Sequence, residues 1–147
     1  MTQFSKCLGL VLLGAALVST GCNTLAGQPA IKQAAINPAE LKPGDSAVIT
    51  VAIKDRHSII DRVEGVVLEN PQITFRLRDN GETPDEKAGD GIWTMQVDVP
   101  LQAPTGTFTL EFTAYRSDGL PVPVRDKEGN VTQLKQDLPV TIRTAQP

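Results

Sequence analysis

Apolar and polar residues alternate one by one along several short segments of this chain, and this period of two constrains the fold more than any other feature. The clearest case spans residues 107–114, where Phe108, Leu110, Phe112 and Ala114 are separated by threonines and a glutamate. Alternation of this kind places the apolar side chains on one face of a β-strand. No stretch after residue 22 shows the sustained apolar spacing of three and four residues that a helix requires. The pattern therefore predicts an all-β chain.

Turn signals divide the chain into about seven short strands. The strands are predicted at 33–36, 47–53, 60–68, 73–77, 93–99, 107–114 and 138–142. Asn-Pro, Pro-Gly and Asp-Gly pairs separate them, and Pro121 and Pro123 confine their own segment to an edge or a loop. Strands of this number and spacing predict an antiparallel immunoglobulin-like β-sandwich, with a small barrel as the alternative.

The N-terminal segment has the features of a secretory leader. Lys6 is its only charged residue, and residues 8–18 form an apolar run broken only by small residues. Such a run is too short to cross a hydrocarbon layer of ~30 Å as a helix. We therefore predict a signal peptide over residues 1–21, a small and polar tether over 22–32, and a single β-sandwich domain over 33–147.

The end of the leader reads Ser19-Thr20-Gly21-Cys22 and resembles the lipobox of bacterial lipoproteins. It departs from that pattern at Ser19, where leucine is usual. The resemblance implies diacylglycerol on the Cys22 thiol, cleavage before Cys22 and acylation, such as palmitate, of the new amino terminus. With Asn23 next, it also implies the outer membrane of the cell envelope, facing the periplasm or the surface. An ordinary signal peptide with a chance cysteine is the alternative.

Charge and residue content argue against several function classes. The formal net charge is −3 and no basic run occurs, so nucleic acid is not an expected partner. Cys7 and Cys22 are the only cysteines, so no disulfide is expected within the domain. His57 is the only histidine, which is too few for a zinc site, and the neighbouring Ser58 and Asp61 lack the sequence context of a hydrolase triad. We therefore expect no enzymatic activity.

An acidic loop follows the strand at 73–77 and ends at residue 91. Asp79, Asp85 and Asp90 supply carboxylate oxygens, the ligands that Ca²⁺ prefers, and Asn80, Glu82 or loop carbonyls are candidates to complete the shell. The spacing is not that of an EF-hand. The alternative is that these acids accept hydrogen bonds from loop amides and cap turns.

The same loop, with its closing Ala-Gly-Asp-Gly-Ile-Trp-Thr, resembles a pattern of immunoglobulin-like domains in bacterial exported proteins. The resemblance extends through residues 97–100 and the strand that begins at 106–108. Such domains serve as structural or adhesive modules. Trp93 is either a core anchor or, with Tyr115, a surface for a sugar ring or a partner; its alternation with Met95 and Val97 favours the core.

Together, these features predict a non-catalytic, lipid-anchored interaction or structural module of the cell envelope. Its expected partners are membrane lipid, through Cys22, and an envelope protein or surface polymer. The alternative is a small carbohydrate- or ligand-binding lipoprotein that uses the loops near 79–93 and 117–130, stabilised by calcium.

Overall fold

A computed structural model describes residues 27–144, which contain ten β-strands and no helix. The strands are β1 (Ala30–Asn37), β2 (Glu40–Leu41), β3 (Ser46–Lys54), β4 (Arg62–Val67), β5 (Asn70–Leu77), β6 (Ile92–Asp98), β7 (Gly106–Tyr115), β8 (Pro123–Arg125), β9 (Val131–Gln133) and β10 (Lys135–Ile142). Within this range no helix is long and apolar enough to span a membrane.

The strands form two main sheets and a small ribbon. One sheet has three antiparallel strands in the order β1-β3-β6, and the other has five in the order β2-β10-β7-β4-β5. All pairs in these sheets are antiparallel except β2 with β10. β8 and β9 pair separately. Residues 27–144 therefore form an all-β, immunoglobulin-like β-sandwich, and the predicted fold class is confirmed.

The core lies between the two sheets and is built from the alternating positions. In β3, Ala47, Ile49, Val51 and Ile53 are buried, whereas the residues between them are partly exposed. Phe112 of β7 is fully buried and meets the ring of Phe75 edge-on, with 6.0 Å between centroids. Burial of each such side chain contributes about 1.5–3 kcal/mol to the stability of the folded domain. Burial of many of them explains why the domain needs no disulfide.

The first strand begins at Ala30, three residues before the predicted start of the domain. Pro29 is already buried, and Lys32 lies in a β-bulge of the pairing between β1 and β3. Because a bulge adds one residue to a strand, it interrupts the alternation that the sequence analysis depended on. Residues 30–32 of the predicted tether therefore belong to a strand. The predicted signal peptide and Cys22 lie outside the described residues.

The acidic loop joins the edge strands of the two sheets. β5 is the last strand of the five-stranded sheet, and β6 is the last strand of the three-stranded sheet. Just before and after the loop, Arg78 and Thr94 exchange two backbone hydrogen bonds of 2.9 and 2.8 Å. These bonds connect the two sheets at this corner, so the ends of the loop are fixed relative to each other.

Candidate functional site

Asp79 closes the acidic loop by accepting three backbone hydrogen bonds from its far end. Its Oδ1 accepts from the amides of Gly89 (2.7 Å) and Asp90 (3.2 Å), and its Oδ2 accepts from Gly91 (3.0 Å). Hydrogen bonds to an ionised carboxylate are stronger than those between neutral groups. One side chain therefore joins residues that are ten to twelve positions apart.

Gly91 is required where the loop enters β6. Its φ is +83°, and a Cβ at this position would stand 2.5 Å from the carbonyl oxygen of Ile53. The Gly91 carbonyl accepts a hydrogen bond from the Ile53 amide at 2.8 Å. A side chain here would be disfavoured both by the left-handed backbone and by the neighbouring strand.

The other two predicted aspartates also accept hydrogen bonds from loop amides. Asp85 is 4% exposed and its Oδ2 accepts from the Gly81 amide at 2.5 Å. Asp90 is exposed and its Oδ1 accepts from Ile92 at 2.9 Å. These bonds are the turn-capping arrangement that the sequence offered as the alternative to a metal site.

The structure nevertheless brings the three predicted metal ligands together. One carboxylate oxygen from each of Asp79, Asp85 and Asp90 lies within 4.8 Å of the others. Ca²⁺ takes six to eight oxygens at about 2.3–2.6 Å, so these three side chains supply only part of a shell. Glu82 accepts instead from Asn80 Nδ2 at 2.9 Å and lies 3.8 Å from Arg78 Nη1. The calcium site stays a prediction.

Trp93 and Tyr115 lie on different sheets. Trp93 is partly buried against the core and pairs with Val51, on the inner face of the three-stranded sheet. Tyr115 is half-buried at the end of β7, and the guanidinium of Arg62 lies 4.6 Å from its ring centroid. The two aromatics do not share one binding surface, and Tyr115 lines a surface hollow.

Asp55 organises the loop that carries the only histidine. Its carboxylate accepts hydrogen bonds from the amides of His57 (3.3 Å) and Ile60 (2.8 Å). His57 is exposed, and its ring makes no hydrogen bond with residues 27–144. Ser58 has a φ of +50°, in the left-handed region that residues other than glycine seldom adopt.

Two surface hollows beside β5 were missed by the sequence analysis. The larger, of about 420 Å³, is lined by Glu64, Gly65, Val66, Thr74, Phe75, Arg76 and Tyr115. The smaller, of about 240 Å³, is lined by Arg76, Arg78, Glu82, Thr83, Pro84, Thr94, Met95 and Gln96. Arg76 lines both, so they adjoin. The sequence signal that could have indicated the smaller hollow is the pair Arg76 and Arg78. Residues two apart in an extended chain point to the same side.

Two carboxylates away from the hollows have lowered pKa values. The Thr109 amide donates to both oxygens of Glu69, at 3.0 and 2.9 Å, and this lowers the Glu69 pKa. The side chain of Asn130 donates to Asp126 at 3.1 Å and, with the backbone amide of Asn130, lowers the pKa of Asp126. Both groups are on turns, and their ionised forms favour the folded chain.

No protein-family model matches this chain, and no curated protein matches it in sequence. Among solved structures, it is similar to a Niemann-Pick type C2 protein from the Japanese carpenter ant. The two are 12% identical, the match covers 78% of this chain and 92% of the other, and the TM-score is 0.43. The fold assignment therefore depends on the strand topology described above.

Proposed function

We propose that this chain is a lipid-anchored interaction module of the bacterial cell envelope, without catalytic activity. The sequence supports the anchor through the lipobox-like ending at Cys22. The structural observation that supports the proposal is a pair of hydrogen bonds at the start of the domain. Gln28 Nε2 donates to the Arg125 carbonyl, and the Arg125 amide donates to Gln28 Oε1, both at 2.8 Å.

These two bonds fix the point at which the chain leaves the domain toward Cys22. Only residues 23–27 separate Cys22 from Gln28, so their Cα atoms lie at most about 20 Å apart even in a fully extended chain. An acylated Cys22 would therefore hold the Gln28 end of the sandwich close to the lipid. Several acyl chains, at ~0.8 kcal/mol per buried CH₂, would make the attachment effectively permanent.

The opposite end of the sandwich points away from the membrane in this arrangement. Ala30 pairs with Lys54 at the end of β3, whereas Ser46 at its start pairs with Asp98, just before the exposed Leu101. Nine residues of strand span about 30 Å, which exceeds the reach of the short connection. In this arrangement the Leu101 end is presented to a partner, an envelope protein or a surface polymer.

The anchor is tested with the full-length chain expressed in a bacterium. We expect it to remain with membranes after carbonate washing and to carry acyl chains by mass spectrometry. The Cys22→Ser variant should be released. If that variant still fractionated with lipid, the anchor would have to be assigned elsewhere in the chain.

The orientation is tested by fluorescence in the membrane-attached protein. After leader removal and acylation no thiol remains, so a cysteine introduced at exposed His57 or at Leu101 is labelled alone. Gly27, close to the anchor, lies next to His57: a Cβ built on Gly27 would stand 4.0 Å from His57 Nε2. Lipid-borne quenchers should therefore quench position 57 more than position 101; equal quenching would contradict the orientation.

The interaction role is tested on the same membranes. Crosslinking and pull-down should recover a partner, and recovery of the protein as a lone monomer would argue against an interaction role.

The larger hollow supports a second candidate, a carbohydrate- or ligand-binding lipoprotein. It combines the half-buried Tyr115 ring with Glu64, Thr74 and Arg76, a mixture of apolar and hydrogen-bonding groups suited to a small polar ligand. A glycan array with the full-length protein tests it, and Tyr115→Ala should remove any binding found. A glycan array and a ligand screen that both gave no hits would exclude this candidate.

A further inference from the structure

The smaller hollow lies at the corner where the two sheets meet, and its lining is rich in hydrogen-bond donors. Arg76 and Arg78 contribute guanidinium groups, Gln96 an amide and Thr83 a hydroxyl, whereas Met95 adds apolar surface. Glu82 is the only carboxylate among the residues that line it. The lining therefore favours a negatively charged group over a positively charged one.

The two arginines lie on the same side of the backbone. They are two residues apart in extended chain, so their Cβ atoms are about 7 Å apart and point the same way. Arg76 makes no ion pair with residues 27–144. Two guanidinium groups at this spacing can converge on one oxyanion, since each presents a fork of N–H donors.

Within residues 27–144, Arg78 makes one ion pair, and it is weak. Its Nη1 lies 3.8 Å from Glu82 Oε2, and the two side chains are 70% and 72% exposed. Glu82 also accepts from Asn80 Nδ2 at 2.9 Å, so it keeps a partner if Arg78 moves. Exposed ion pairs at such a distance add little stability, and an incoming anion would have little to displace.

Thr94 provides an observation independent of the charges. It is 6% exposed and lines the hollow, and its Oγ1 is buried without a hydrogen-bond partner among the described residues. Buried hydroxyls in folded proteins almost always have a partner. Because Thr94 lines the hollow, a ligand held there would be a candidate for the partner that the described residues do not give this hydroxyl.

We propose that this hollow binds an oxyanion group, a carboxylate or a phosphate, with Arg76 and Arg78 as the principal donors. Charged residues on edge strands also prevent strand-to-strand aggregation, but that role does not require a hollow lined by both arginines or an unpartnered hydroxyl in its wall. The site is separate from the Asp79, Asp85 and Asp90 cluster, and it does not depend on the lipid anchor.

Binding is measured by isothermal titration of the full-length protein in detergent at low ionic strength. The probes are glucuronate and inorganic phosphate, which separate a carboxylate source from a phosphate source, with chloride at equal ionic strength as the blank. We expect saturable binding of at least one probe, at least tenfold weaker in Arg76→Gln and in Arg78→Gln.

Lys127→Gln is the matched control, because it removes one exposed positive charge in the turn after β8. Its affinity should stay within twofold of the unchanged protein. If Lys127→Gln weakened probe binding as much as the arginine variants do, the loss of affinity would reflect net charge alone and contradict the proposal. Absence of binding of either probe at concentrations of about 10 mM would also overturn it. Neither result would bear on the fractionation of the Cys22→Ser variant, so the two proposals fail separately.

Discussion

The ring of Phe75 lies directly over Gly65 in the neighbouring strand. The two residues face each other in the pairing of β4 with β5, and Gly65 also pairs with Phe112 of β7. A Cβ on Gly65 would stand 2.5 Å from Phe75 Cζ and closer still to Cε2. The absence of a side chain at Gly65 therefore allows Phe75 to meet Phe112 edge-on across the middle strand.

We predict that Gly65→Ala destabilises the domain by about 1–3 kcal/mol, the usual range for overpacking a core. Its backbone is not in the left-handed region, so the loss would come from the ring and not from φ. Urea unfolding measures it. In a Phe75→Leu background the same substitution should cost less than about 0.5 kcal/mol; an equal cost would show that Phe75 is not the obstacle.

Asp79→Ala should destabilise the acidic loop, because three backbone amides lose one charged acceptor. We expect a loss of about 2 kcal/mol in unfolding free energy, within the range of hydrogen bonds to charged groups. Glu86→Ala is the matched control, an exposed acid of the same loop, and should change stability by less than about 0.5 kcal/mol. Similar losses in both variants would mean that Asp79 has no special structural role.

Calcium should raise the melting temperature of the unchanged protein. If Asp79, Asp85 and Asp90 hold the ion, a concentration of 100 times Kd adds about 2.7 kcal/mol. Asp90→Asn removes one charge but keeps an oxygen for the Ile92 amide, so it should lose the calcium response without losing the turn. An unchanged melting temperature at millimolar Ca²⁺ would leave the three carboxylates as turn caps alone.

The long strands were predictable from the sequence, whereas the short ones were not. Seven strands have six or more residues, which is enough for alternation to be visible. β2, β8 and β9 have two or three residues, too few to show a period, and their pairing is determined by tertiary contacts. In β1 the bulge at Lys32 hides the pattern, which is why the predicted strand started late.

The candidate site was predictable only where it is local in sequence. Asp79, Asp85 and Asp90 fall in one loop, so their grouping followed from spacing and composition. The bonds between Gln28 and Arg125 join residues 97 positions apart, and the smaller hollow needs β5 and β6 to meet across two sheets. Contacts of this kind depend on the packing of strands, which a period of two does not specify.

Thr94→Val should make the protein more stable or leave its stability unchanged. Valine has nearly the same shape and lacks the hydroxyl, and no residue in the described part of the chain is a partner for the buried Thr94 Oγ1. Removing a buried unsatisfied group is expected to be neutral or to add about 1 kcal/mol. A clear loss of stability in Thr94→Val would indicate a hydrogen bond formed in solution.

Glu69 should stabilise the fold in a pH-dependent way. Hydrogen bonds from Thr109 lower its pKa in the folded chain, so the folded state favours the ionised carboxylate. The contribution is therefore fully present above the ordinary glutamate pKa of about 4.3 and disappears as the pH falls through the lower, folded-state pKa. Urea unfolding between pH 3 and pH 7 should show Glu69→Gln less stable than the unchanged protein at neutral pH, with the difference shrinking in acid. Asp126, whose pKa is also lowered, is present in both proteins and cancels in the difference. A gap that stayed constant down to pH 3 would assign the effect to the shape of the side chain, not to its charge.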